Sequence, residues 1–178
     1  MTLEEYNRIL IEKNNAVNLT GHKTIEKSWE YNILDSLLFA DVFDECENIC
    51  DIGCGAGLPS VPLAIKFPNK KWTLIDSTKK KIDFINDLKI PNVRAVWTRI
   101  ESFDETGFDA VTARGVAPLK DLIKYAMPKL KKGGRLFAYK GQNFQHEIDR
   151  IKYPVEQVIK RCLNDEITRY LVIISKKE

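Results

Sequence analysis

Short apolar runs alternate with amphipathic segments along most of this chain, and a glycine-rich turn joins the first such run to a helix. The last two apolar runs follow one another with no helix between them. Together these observations predict an α/β fold: a mostly parallel, seven-stranded sheet with helices on both faces, closing in an antiparallel C-terminal hairpin.

The elements follow in order. Residues 3–19 place Leu3, Tyr6, Ile9, Leu10 and Val17 at helical spacing, with Thr2 as N-cap and Glu5 completing a capping box. Residues 24–43 predict a second helix, capped by Thr24 and carrying Ile25, Trp29, Ile33, Leu34, Leu37 and Leu38. These two helices form an N-terminal helical cap over residues 1–48, and residues 49–178 form the core. In the core, strands are expected at 49–52, 72–75, 93–98, 108–113, 134–139, 155–161 and 169–175. Helices are expected at 60–67, 79–88, 119–130 and 142–151, and Gly133-Gly134 marks a turn before the fifth strand. Trp29 and Trp97 are expected to pack in the core, the alternative being that their rings stack on bases.

The turn after the first strand reads Asp51-Ile52-Gly53-Cys54-Gly55-Ala56-Gly57-Leu58. Gly53, Gly55 and Gly57 remove side chains where the chain must turn and a ligand must lie on bare backbone. Asp76 ends the second strand 23 positions after Gly53, near the spacing at which a carboxylate reaches a ribose. A nucleoside cofactor follows. A dinucleotide fingerprint would place its third glycine where Leu58 stands, and Asp51 would repel a diphosphate. An acid there suits a cationic ligand such as the amino end of S-adenosylmethionine. That cofactor is favoured over a dinucleotide or a turn without a ligand.

The chain has 178 residues and a net charge of +3. Residues 1–48 hold four basic and ten acidic side chains, a net −6, which leaves +9 on the remainder. A basic body suggests a polyanionic partner, the alternative being a solvated lysine-rich surface. No apolar stretch reaches the ~18 residues of a membrane span and no basic-then-apolar leader opens the chain, so a soluble cytoplasmic protein is expected. Cys46, Cys50, Cys54 and Cys162 form no Cys-x-x-Cys, and only His22 and His146 exist to assist them, so reduced buried thiols and no metal are expected.

Further phrases narrow the reading: Asn18-Leu19-Thr20, Ile33-Leu34-Asp35-Ser36-Leu37, Gly57-Leu58-Pro59, Leu74-Ile75-Asp76-Ser77 with Lys79-Lys80, Thr112-Ala113-Arg114 and Lys140-Gly141. The seven strands with their glycine turn resemble the class I methyltransferase, Rossmann-like fold. The phrases in this order, over about residues 14–148, resemble the ribosomal RNA small-subunit methyltransferase G family (RsmG, also called glucose-inhibited division protein B). Tyr31 and Asn32 stand where that family usually carries a basic residue and a histidine.

The resemblance implies S-adenosylmethionine-dependent methylation of N7 of one guanine in 16S ribosomal RNA, with the RNA or a small-subunit assembly particle as partner and the protein acting as a monomer without a metal or membrane. It places cofactor contacts on Gly53, Leu58, Ile100, Glu101 and Arg114. The alternatives are a methyltransferase of a small molecule or protein, and a non-catalytic RNA-binding module on the same fold.

Guanine N7 carries a lone pair and no proton, so its methylation needs alignment and electrostatics but no general base. Consistently, the fourth strand ends in Ala113-Arg114-Gly115, not in an Asn-Pro-Pro-aromatic phrase, and no Pro-Cys pair supplies a nucleophile. Arg114 is the expected positioning residue, able to hold a cofactor carboxylate, an RNA phosphate or guanine O6, or to form a structural ion pair. Arg99 ends the third strand and Lys140 the fifth, so both are expected at one rim, as RNA contacts or, alternatively, as solvated charges. Asp35, set among apolar residues, is expected to partner a core donor.

Overall fold

The structure is a computed structural model and describes residues 1–177. Seven strands form one sheet: β1 (Asn48–Ile52), β2 (Lys71–Asp76), β3 (Val93–Trp97), β4 (Phe108–Arg114), β5 (Leu130–Lys140), β6 (Gln157–Cys162) and β7 (Thr168–Ser175). Their spatial order is β3-β2-β1-β4-β5-β7-β6. The first five run parallel, and β7 pairs antiparallel with both β5 and β6. Successive side chains of a strand face opposite sides, and here each side is apolar. Ile49, Leu74, Phe137 and Leu171 enter one core cluster, while Cys50, Ile75, Leu136 and Val172 enter the other.

Helices α1 (Leu3–Val17), α2 (Ile25–Ser28), α3 (Asp35–Leu37), α4 (Ser60–Lys66) and α5 (Lys79–Asp87) cover the first side. Helices α6 (Leu119–Ala126) and α7 (Phe144–Ile148) cover the second. No helix among the described residues is long and apolar enough to cross a membrane.

Helix α1 begins as its sequence dictates, with the Thr2–Glu5 capping box formed in both directions. Its inner face sends Tyr6 and Leu10, both fully buried, into the same cluster as the sheet residues Ile49 and Trp72. The Tyr6 hydroxyl donates to the Ala56 carbonyl at 2.9 Å, which ties the N-terminal helix to the glycine turn.

Several expected boundaries differ. The helix expected over 24–43 is capped by Thr24 but divides into α2, a wider π-helical turn at Trp29–Leu34, α3, and a 3-10 turn at Ala40–Phe43. Its polar residues explain the irregularity. Ser28, Asn32, Asp35 and Ser36 are all buried, and the Ser36 hydroxyl donates to the Asn32 carbonyl at 2.5 Å, competing with regular helical bonding. Helix α6 stops at Ala126 because Pro128 cannot continue it. Strand β5 starts at Leu130, so Gly133-Gly134 lies inside it, where the register against β4 shifts between Phe108 and Ala110.

The Tyr6–Ala56 bond gives a direct prediction. Tyr6→Phe leaves a buried carbonyl without its donor and should lower unfolding free energy by ~1–3 kcal/mol, measured by urea denaturation with the far-UV spectrum unchanged.

Candidate active site

Strand order reverses between β1 and β4, so their following chains leave in opposite directions and open a crevice at the carboxyl edge of the sheet. A cavity of about 530 Å³ lies there. Its wall is built from the turns after four adjacent strands: Gly53–Ala56 after β1, Asp76 and Ser77 after β2, Thr98–Glu101 after β3, and Arg114–Val116 after β4. Leu58 and Lys81 also reach it, as do Leu19, Thr20 and Asn32 from the N-terminal segment. Of the residues expected from sequence, Gly53, Gly55, Leu58, Asp76, Arg99, Ile100, Glu101 and Arg114 therefore meet at one cavity, whereas Asp51, Gly57 and Lys140 do not form its wall.

The three glycines of the turn have different reasons for lacking a side chain. A Cβ on Gly57 would approach the Val61 side chain to 2.4 Å, and one on Gly53 would approach Val116 to 2.7 Å. Those two positions are set by packing. At Gly55, with φ +58°, a Cβ would meet nothing within 4 Å and would enter the open cleft. Gly53 and Gly55 both line the cleft, but only at Gly55 would an added side chain enter open space, and Gly57 packs behind the turn against Val61 and Ile85.

The turn is held from the next strand. Asp76 Oδ2 accepts the Gly55 N–H at 2.9 Å, and Oδ1 accepts the Thr78 N–H at 2.8 Å. The Gly53 and Cys54 N–H groups donate to the Ile75 carbonyl at 2.8 and 3.0 Å. Asp76 thus braces the turn while lining the cleft. Across from it, Glu101 accepts the Tyr125 hydroxyl at 3.2 Å. Cys54 is 1% exposed and burial holds its thiol well above the usual range, so the cleft contains no thiolate nucleophile from this residue.

Asp51 lies beneath the turn, fully buried, and neither carboxylate oxygen has a hydrogen-bond partner. Burial, the largest cause, pushes its pKa up to about 7; the neighbouring Ser60, too poorly placed for a well-formed hydrogen bond, and Arg114 oppose the rise, and Asp76 adds to it. The acid expected to face a cation is thus set behind the backbone that would carry the ligand.

Arg114 lies at the carboxyl end of β4, on the cleft wall. Its NH1 donates to Asp35 Oδ2 at 2.9 Å and to the Ser36 hydroxyl at 3.3 Å. Asp35, 4% exposed, also accepts Arg169 Nε at 2.7 Å, as expected of a buried carboxylate that needs donors. A second, smaller cavity of about 230 Å³ lies between these groups, lined by Asp35, Arg114, Tyr139 and Arg169 among others.

Two expectations are corrected. Lys140 does not present its charge at the rim: its Nζ donates to Glu147 at 2.7 Å and to the Ala117 carbonyl at 3.0 Å, and its side chain is 10% exposed. The turn into α7 folds back over the end of β5 and brings Glu147 to it. Trp97 is not a core residue. It ends an edge strand, with 59% of its surface exposed. Arg99 is exposed on the cleft wall and is in no ion pair among the described residues.

Sequence spacing did not point to Thr20 and Asn32. Both line the cleft, and the Asn32 amide donates to the Thr20 hydroxyl at 3.0 Å. Asn14 pins the same loop by accepting the Leu19 and Thr20 N–H groups at 2.6 and 2.8 Å. The signal available was the phrase Asn18-Leu19-Thr20, a short polar break just after a helix.

Comparisons with known proteins agree with this geometry. The GidB family model, described as rRNA small subunit methyltransferase G, matches residues 1–165. A protein named ribosomal RNA small subunit methyltransferase G from Chlorobium luteolum is 41% identical over 149 residues, covering 80% of this chain and 63% of that protein. One of the same name from Staphylococcus aureus is 36% identical over 164 residues, covering 85% of this chain and 68% of that protein. The chain therefore spans slightly under two thirds of the Chlorobium relative and slightly over two thirds of the Staphylococcus one.

Among solved structures, the plantazolicin methyltransferase BpumL in complex with a monoazolic desmethylPZN analog and SAH superposes with a TM-score of 0.68 at 14% identity, over 98% of this chain and 96% of that one. The N-methyltransferase NodS from Bradyrhizobium japonicum, in complex with S-adenosyl-L-homocysteine, gives 0.64 at 14% identity, over 98% of each chain. At these identities the likeness establishes the fold, that of class I methyltransferases.

Two predictions follow from the cleft. Gly55→Ala, strained by its positive φ but free of a clash, should weaken S-adenosylmethionine binding about tenfold or more at a small cost in stability, whereas Gly57→Ala, strained and clashing with Val61, should destabilise the protein more; calorimetric titration and thermal denaturation of both variants separate the effects.

The second concerns pH. Below 3.8 Asp51 is protonated in the folded and unfolded chain alike; between 3.8 and about 7 only the unfolded chain releases the proton. Its contribution to stability therefore falls as pH rises through that window, and the penalty is complete above about 7. Asp51→Asn should remove this slope and raise stability at the upper end by on the order of a few kcal/mol, read from denaturation midpoints across the window.

Proposed function

This chain belongs to the rRNA small subunit methyltransferase G family, and from that premise we propose that it is an S-adenosylmethionine-dependent methyltransferase acting on N7 of a guanine in 16S ribosomal RNA. The observation that carries the reading is the cleft at the strand-order reversal, where Gly55 leaves bare backbone beside Asp76, with the Glu101 carboxylate on the same wall. S-adenosylmethionine, when bound, supplies a methyl group on a positively charged sulfur.

The residues present fit that group. The open face of Gly55 admits it, Asp76 offers a carboxylate to ribose hydroxyls, and Ile100 and Glu101 give an apolar edge and an acceptor for the adenine. The buried Asp51 carboxyl lies beneath the same turn with no partner of its own, so a cation seated above it favours its charged form.

Arg114 is the proposed positioning residue. Asp35 and Ser36 hold its guanidinium at the edge of both cavities, ready to orient an acceptor atom of the base. Arg99, exposed on the same wall, is proposed to meet an RNA phosphate. In the transfer, the lone pair on N7 forms the N–C bond as the S–C bond breaks. The positive charge passes to the base and no proton leaves, so the chain needs to align groups and exclude water, not to act as a base. The protonated thiol of Cys54 agrees with a direct transfer.

The test is a map of N7-methylguanine in 16S RNA from a strain lacking this gene and from the strain complemented with wild type or Arg114→Ala. Loss of one modified guanine, restored by wild type, is expected. Arg114→Ala should lower turnover more than RNA affinity. Unchanged methylation at every site in the deletion strain would overturn the reading.

A further inference from the structure

Trp97 is the most exposed of the large apolar side chains among the described residues, at 59%. It sits at the carboxyl end of the edge strand β3, directly before Thr98 and Arg99, which line the cleft. Its single donor is already used: Nε1 donates to the Ser77 carbonyl at 3.0 Å, and Ser77 is also part of the cleft wall. The indole is therefore held in one orientation at the rim while its apolar surface stays in solvent. A tryptophan so placed is poorly explained by packing, since burial is what its ring gains from folding.

The surrounding charge indicates what would cover it. Helix α5 opens with Lys79, Lys80 and Lys81 and has no acid in its first turn. Cations there oppose the positive end of the helix dipole, so three in succession work against the stability of α5. Lys79 lies 6.0 Å from the Trp97 ring centroid and pairs with Asp83 at 2.8 Å. Lys80, Lys81 and Arg99 have no ion-pair partner among the described residues. A protein docking on the ring would have to desolvate these uncompensated cations. A single-stranded nucleotide meets both features, with a base for the ring and phosphates for the lysines.

We propose that Trp97 is a stacking platform for an unpaired base of the RNA substrate, a nucleotide flanking the one held in the cleft. The inference rests on the reading of the substrate as RNA. It assigns Trp97 a binding role distinct from the reacting groups.

The test uses the full chain carrying Trp29→Phe. With Trp72 only 1% exposed, the solvent-exposed emission then comes from Trp97. Titration with a short unstructured oligoadenylate should quench that emission. Trp97→Ala should weaken binding of the same RNA about fivefold or more, Trp97→Phe should retain most of the affinity, and S-adenosylmethionine affinity should not change in either. If Phe, which keeps the ring but loses the bond to Ser77, falls as far as Ala and cofactor affinity falls with it, Trp97 is a structural clasp and the proposal is overturned. RNA binding and methylation unaltered by Trp97→Ala would overturn it while leaving the proposed activity standing. A wild-type protein that neither binds nor methylates RNA would overturn both.

Discussion

The turn between β1 and α4 follows its path only because its backbone is held from several sides at once. Tyr6 donates to the Ala56 carbonyl from α1, Asp76 accepts the Gly55 N–H from the end of β2, and the Ile75 carbonyl takes the N–H groups of Gly53 and Cys54. Close packing leaves no space for side chains on Gly53 and Gly57, where Val116 and Val61 stand against the chain. These constraints satisfy buried backbone groups and set the conformation of Gly55 at the same time. The cleft is a consequence: four neighbouring strand ends converge, and the turn that lines its floor cannot collapse into it.

A second constraint runs across the carboxyl edge of the sheet. Asp35 comes from the irregular N-terminal helical segment, Arg114 from β4 and Arg169 from β7, and the carboxylate pairs with both guanidiniums. A nearly buried carboxylate between two arginines is costly to break: removing Asp35 leaves both guanidiniums without their partner, and removing either arginine leaves the carboxylate with one. The π-helical turn at Trp29–Leu34 directly precedes Asp35 and Ser36, so the local departure from regular helix coincides with inward-facing polar groups. The N-terminal segment thereby serves the cleft directly, through Tyr6, Thr20, Asn32 and Asp35, and shares one apolar cluster with the sheet.

Charge is distributed in keeping with chemistry that moves no proton. Burial near the turn raises the pKa of Asp51, which is not part of the cleft wall, and holds the Cys54 thiol protonated. The groups in the wall either brace neighbours, as Asp76 and Arg114 do, or face solvent, as Arg99 does. Such a site acts by holding partners in position, and its electrostatic effects come from fixed charges and backbone dipoles.

The sequence by itself determined the fold class, the order of the seven strands along the chain, the capping of α1 and the place of the glycine turn. Period-2 and period-3.6 patterns, caps and glycine spacing are local properties, and they survive folding when tertiary packing does not oppose them. It also placed Asp76 and Arg114 at one edge of a sheet, since strand ends in a parallel sheet must share that edge, and the family resemblance added Ile100 and Glu101 there. Only the tertiary structure decided which glycines are crowded and which opens onto the cleft, that Asp51 is buried away from its wall, and that Lys140 turns onto Glu147 while Trp97 stays in solvent. Only it brought Asp35 between Arg114 and Arg169, which are 79 and 134 positions away along the chain. The physical reason is the same in each case. Whether a charge is free, a glycine crowded or a ring covered depends on neighbours from distant segments, and no local pattern encodes those neighbours.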